Sequence, residues 1–284
     1  MTPNPNPQTP APVRRRWRWR RVVLLAILAG IGALGWNQYT WHRAVRQLEE
    51  AGITAHSQDD SVGERLRRAA QNDWRMFLNV YTWMGLPPEW RIDPDTAANL
   101  RNLDALAPAL RRINPENLEL GGCPALEAVD GLKGLTALRS LDLRSCPALQ
   151  NADGLEDLTA LGYLMISDCS ALRNVNGLKR LIALRSLDLS GCPALVNTNA
   201  FKGLTSLQRL DLRDCSALES LGGFNGLTSL SHLNLSYCSA LKSVEPLKGL
   251  SALKFVFLTG CTKLPPEEVA ALKAALPKAQ IFGP

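Results

Sequence analysis

Apolar residues recur through the second half of this chain in one frame that repeats every 23 positions. Around Cys146 the frame is Leu138, Leu141, Leu143 and Leu149, and around Cys192 it is Leu184, Leu187, Leu189 and Leu195. Around Cys215 it is Leu207, Leu210, Leu212 and Leu218. The period of two in Leu-x-Leu puts Leu141 and Leu143 on one side of a short strand and turns Asp142 and Arg144 to the other. After Cys169, Leu172, Val175, Leu178 and Leu181 are spaced by three, which predicts a return path of turns or 3-10 segments rather than a long helix. A single coil does not fold alone. Its buried side chains contribute roughly 2 kcal/mol each, whereas ordering each residue costs about 1 to 2 kcal/mol. Stacked coils cover one another's faces and pair strand edges, so the repeat predicts a solenoid with a parallel sheet.

The chain has seven cysteines, at 123, 146, 169, 192, 215, 238 and 261, each in the same slot of the frame. The resulting Leu-x-x-Leu-x-Leu-x-x-Cys-x-x-Leu motif resembles the leucine-rich repeat family, which fills that slot with asparagine or cysteine. The resemblance covers residues 110 to 276. It implies an α/β solenoid, a horseshoe with a short parallel β-sheet on its concave face, and recognition of a partner without chemistry.

Both ends of such an array need covering. Pro265-Pro266-Glu267-Glu268 followed by Val269-Ala-Ala-Leu-Lys-Ala-Ala-Leu276 reads as a helix with proline and acids in its first turn. Gln280 to Phe282 then forms a last extended piece, so 265–284 is expected to be a C-terminal cap. At the other end Pro115 takes a leucine slot. The spacing of Leu66, Ala69, Ala70, Trp74, Phe77, Leu78 and Tyr81 predicts a helix within 61–84. Residues 37–109 are therefore read as a helical spacer and N-terminal cap, and 110–264 as about seven coils.

Charge locates the chain rather than its ligand. Residues 1–21 begin with a Pro- and Asn-rich stretch and end on Arg14, Arg15, Arg16, Arg18, Arg20 and Arg21. Those six arginines account for the whole net charge of +6 (32 basic less 26 acidic residues), leaving the remainder balanced. An apolar run, Val22 to Gly35, follows at once, bracketed by Trp19 and Trp36. A basic flank, an apolar run and aromatic anchors together predict a membrane segment at 22–36, with the arginines inside and the repeats outside the cytoplasm. The run is short for a span and within the length of a signal-peptide core. An uncleaved anchor and a cleaved signal peptide both export the repeats. A nucleic-acid arm is disfavoured by the apolar run that follows.

No Cys-x-x-Cys pair, metal-ligand spacing of histidines, phosphate loop or nucleophile elbow is present, and no cofactor or catalytic residue is expected. Strand alternation places Ser231 and His232 on opposite faces, a poor nucleophile and base couple. The cysteines are expected to be small buried wedges with free thiols bonded to backbone. Candidate partner-binding residues are those facing outward from the strands. Four positions before the cysteines stand Asp142, Asp188, Asp211 and Phe257, and six before stand Tyr163, His232 and Phe255. Two before are Arg144, Ser167, Ser190, Arg213 and Ser236, of which Arg144 and Arg213 are expected to pair with Asp142 and Asp211. Tyr237, His232, Phe255 and Phe257 form an aromatic cluster suited to a binding hot spot; the alternative is that the phenylalanines only pack against the C-terminal cap. The expected partner is a protein, or else a cell-surface polysaccharide, and the competing reading of the whole chain is an envelope spacer without a dedicated ligand.

Overall fold

Each Leu-x-Leu segment contributes one three-residue strand to a parallel sheet. The computed structural model describes residues 53–56, 89–92 and 100–283, all within one unit that spans residues 44–284. The sheet has ten strands in chain order. Seven belong to the repeats: β3 (Asn117–Glu119), β4 (Ser140–Asp142), β5 (Tyr163–Met165), β6 (Ser186–Asp188), β7 (Arg209–Asp211), β8 (His232–Asn234) and β9 (Phe255–Phe257). Their register advances by one repeat per strand, so Leu118, Leu141, Leu164, Leu187, Leu210, Leu233 and Val256 form one inward row. All seven are buried, as are Leu143 and its equivalents just past the strand ends. The seven cysteines are fully buried and free.

The return paths are 3-10 turns, as the spacing of three predicts: Asp130–Leu132, Asp153–Leu155, Asn176–Leu178, Asn199–Gly203, Phe224–Gly226 and Glu245–Leu247. Two features absent from the sequence reading make the stacking possible. Eight residues after four of the cysteines stand Gly131, Gly154, Gly177 and Gly223, with Ala200 and Pro246 in the same column; a Cβ at Gly131 would lie 2.5 Å from the Leu103 backbone ahead of the first coil, and at the other three glycines 2.2, 1.8 and 1.8 Å from the backbone of the preceding coil. One residue before each cysteine the backbone is left-handed, at Gly122, Ser145, Asp168, Gly191, Asp214, Tyr237 and Gly260. A third column caps the 3-10 turns: Asn151, Asn174 and Asn197 each accept, through Oδ1, the N–H two residues on.

A helix and one further strand follow the last coil. Helix α2 (Pro266–Ala275) carries Glu267 and Glu268 in its first turn, and β10 (Gln280–Phe282) pairs parallel to β9. Glu268 fastens the helix to the last coil by accepting from Ser243 Oγ at 2.9 Å and the Val244 N–H at 3.1 Å.

The N-terminal end departs from the helical reading of 37–109. β1 (Ile53–His56) and β2 (Glu89–Ile92) pair antiparallel, and β2 extends the sheet parallel to β3. Pairing with β3 satisfies the first coil's otherwise open strand edge, which helical spacing does not report. A short helix, α1 (Ala107–Ile113), leads into β3, and Pro115 is buried in the slot the frame gives it. The helix expected within 61–84 and the segment 22–36 lie outside the described residues.

Candidate partner-binding face

The outward side chains of β3–β9 stand in two rows, at the first and third residue of each strand. The third-residue row has a local role that hydropathy does not reveal. Asp142, Asp188, Asp211 and Asn234 each accept, through Oδ1, the backbone N–H two residues on, at 2.9, 2.9, 2.9 and 3.0 Å. These bonds end the strands as Asx turns. The recurrence of Asp or Asn four before the cysteine was the signal for them.

The ion pairs differ from expectation at one rung. Asp142 is only 6% exposed because the Arg144 guanidinium covers it, with Nη2 2.6 Å from Oδ2 and Nε in contact with both oxygens. The analogous Arg213 instead turns to Asp214, 3.5 Å away. Asp211 accepts an N–H from Asn234 Nδ2 at 3.2 Å on the next strand. Of the residues two before the cysteines, Ser167, Ser190 and Ser236 are buried, whereas Arg144, Arg213 and Thr259 are exposed.

The aromatic residues gather only in part. His232 and Phe255 lie with ring centroids 5.1 Å apart, and Phe257 stacks on Phe282 of the C-terminal cap at 4.9 Å and 10°. Phe257 packs against the cap and yet remains 37% exposed. Tyr237 is exposed, but its ring lies over Gly260 in the turn after the strands. Tyr163 is exposed on β5, four strands from β9.

Ser231 and His232 are not on opposite faces as strict alternation required. Ser231 precedes β8, and its Oγ lies 2.8 Å from His232 Nδ1 while donating to the Gln208 carbonyl at 3.0 Å. A serine has one proton to donate. With that proton on Gln208, the histidine Nδ1–H is the donor to Oγ, so the contact orients the ring rather than activating the hydroxyl. Among the described residues no three His, Cys, Asp or Glu side chains group to hold a metal ion.

The cysteine slot is explained by its hydrogen bonds. Each Sγ from Cys146 to Cys261 donates to the carbonyl 26 residues earlier, for example Cys192 to Ile166 and Cys238 to Leu212, both at 3.1 Å. Burial pushes the Cys192 and Cys238 thiols up to about 12 and Cys261 to about 11. Such thiols are poor nucleophiles.

A leucine frame around a buried thiol ladder, one three-residue parallel strand per 23-residue coil and a 3-10 return path together decide the architecture. This is a leucine-rich-repeat fold. No family model and no curated protein matches the chain. Similar solved structures include internalin C2 of Listeria monocytogenes, 22% identical, with 62% of this chain and 72% of that one covered and a TM-score of 0.48. Another is the leucine-rich repeat domain of the type III effector XopL, 21% identical, with 88% and 93% covered and a TM-score of 0.45. A third is the Leptospira interrogans protein LIC12759, 16% identical, with 61% and 62% covered and a TM-score of 0.34.

On the sheet face of this leucine-rich-repeat array lies a shallow open cavity of about 350 Å³ across β6–β9. Asp188, Arg209, Asp211, His232, Asn234 and Phe257 contribute to its lining. It unites most of the candidates at the C-terminal half of the sheet. Asp142, Tyr163, Tyr237 and Phe255 lie outside its lining.

Proposed function

We propose that this protein is a binding scaffold that presents the outer face of its sheet to a protein partner outside the cytoplasm, held at or exported through the membrane by residues 22–36. The observation that carries this reading is the cavity on β6–β9, where charged and aromatic side chains with no core role stand on a rigid strand array. Evenly spaced side chains on such an array lose little entropy when a partner docks. Among the described residues no helix is long and apolar enough to cross a membrane, and the anchoring part of the proposal rests on the arginine cluster and the apolar run alone.

The test is a photo-crosslinking amino acid placed in the full chain at Phe257 or, as a control on the return path, at the exposed Ile182. In native membranes the first position should capture a defined protein and the second should not. Equal labelling from both, or none from either, would favour an envelope spacer. A reporter active only outside the cytoplasm, fused after Pro284, tests the topology; a mature N-terminus at Trp36 would replace the anchor by a signal peptide.

A further inference from the structure

Resting on that reading of the sheet face, we propose that the cavity across β6–β8 receives an extended segment of the partner that carries an arginine or lysine two residues from an aspartate or glutamate. The argument starts from the Asp/Asn row. Its local task needs no charge, because Asn234 makes the same bond to the N–H two residues on that the aspartates make. A carboxylate in this slot is therefore a charge surplus to the fold.

At Asp142 the surplus is cancelled within the chain by Arg144. At Asp188 and Asp211 no ion pair among the described residues does so, and the more distant Arg144 charge acts on Asp188. The residue two after Asp188 is a serine, whose N–H and Oγ both bond to Oδ1, and Arg213 is engaged by Asp214. The two aspartates are directly in register on neighbouring strands, and both line the cavity. Like charges facing each other across adjacent strands, roughly 4.8 Å apart, destabilise the sheet until a cation joins them.

Arg209 supplies the opposite sign. It is exposed, stands two residues before Asp211 on the same strand and face, and lines the same cavity. Two residues of strand span roughly 6.6 Å, which is also the distance between alternate side chains of any extended chain laid along the strands. A guanidinium or ammonium at Asp188 and Asp211 thus brings a carboxylate two residues away onto Arg209. Phe257, two strands beyond Asp211 in the same lining, offers its ring to an apolar neighbour in the segment rather than to the basic side chain itself.

The experiment selects binders from a random peptide library on the full chain, immobilised through its N-terminus. Enriched sequences should carry a basic and an acidic residue two positions apart and should crosslink to a probe at Phe257. A synthetic peptide of the enriched sequence should bind about tenfold more weakly to the Asp188→Asn, Asp211→Asn variant, as loss of charge-assisted bonds implies. Asparagine keeps the Oδ1 acceptor and removes the repulsion between the two carboxylates, so the thermal melt should hold or rise. Asp188→Asn alone, whose bonds from Ser190 both fall on one oxygen, serves if the double variant is unstable. Peptides that label the face without this charge pattern, or whose binding ignores both variants, would overturn the inference and leave the scaffold reading intact. No enrichment, or labelling away from the face, would overturn both.

Discussion

Replacing Gly177 by alanine tests how the coils stack. The glycine sits in the 3-10 turn Asn176–Leu178, and an added Cβ would lie 1.8 Å from the Ala152 carbonyl oxygen and 2.7 Å from its carbon. Backbone of the neighbouring coil cannot swing aside as a flexible side chain can, so the contact has to open by more than an ångström. Overpacking of this kind costs about 1 to 3 kcal/mol, and the upper half of that range is expected because the obstacle is backbone. For an array of this size, that corresponds to a fall of about 4 to 12 °C in melting temperature. Gly249→Ala is the matched control, since nothing lies within 4 Å of its Cβ position. The control should be neutral or gain about 0.4 to 1 kcal/mol through the unfolded state. Ala200 and Pro246 occupy the equivalent column in the turns Asn199–Gly203 and Glu245–Leu247, so the column tolerates a Cβ at some rungs and the test addresses those where the neighbouring backbone is within 3 Å. Thermal melts followed by far-UV circular dichroism decide the matter. Equal melting temperatures for the two variants would refute the claim that the glycine column sets coil spacing.

Ser145→Gly should raise stability by about 1 kcal/mol in a urea titration, since a left-handed serine carries strain that glycine does not. Cys192→Ser should cost about 1 to 2 kcal/mol and Cys192→Lys several, because the lysine buries a charge with no partner where Sγ now meets the Ile166 carbonyl; all seven thiols should resist alkylation in the native protein and react in urea. The bonds from Ser243 and Val244 hold the Glu268 carboxyl below its ordinary value of 4.5, so the stability it contributes is complete above that pH and is lost as pH falls through the lowered value. Glu268→Gln should therefore melt lower than wild type at pH 7, with the gap closing in melts at about pH 3. Phe257→Ala should cost about 0.5 to 1.5 kcal/mol of stability from the lost Phe282 stack and more than about 1 kcal/mol of partner affinity; intact binding beside a lowered melt would assign the ring to the cap alone.

Much of the fold was legible because the repeat states its constraints seven times over. The Leu-x-Leu rows, the 3-10 returns and the capped C-terminal helix each follow from spacing that recurs or from residues with strong local preferences. The strands at Ile53–His56 and Glu89–Ile92 were not legible, since four residues carry little periodicity and their pairing is set by an edge at Asn117–Glu119 that only the folded solenoid creates. The site was legible as a set of outward positions and illegible as geometry. Spacing placed Arg213 beside Asp211, but the left-handed turn at Asp214 offers the guanidinium a nearer carboxylate. Alternation separated Ser231 from His232, but alternation does not extend past the strand end, and Ser231 lies one residue outside β8.

The Asx row also contains positions that the fold alone does not explain. Every rung from β4 to β9 needs an acceptor for the N–H two residues after the strand end, and Asp142, Asp188, Asp211 and Asn234 supply one from the side chain. Met165 and Phe257 occupy the same slot with side chains that accept no such bond, so those rungs forgo roughly 0.5 to 1.5 kcal/mol each. At Phe257 the replacement is a large ring left 37% exposed beside the cavity. Packing on Phe282 offsets part of that loss, but a fully covered ring would do so better. A position that gives up a strand-ending hydrogen bond and still shows an apolar ring to solvent is one whose identity the fold alone does not explain, and under the proposed function a partner covering the ring would supply the missing term.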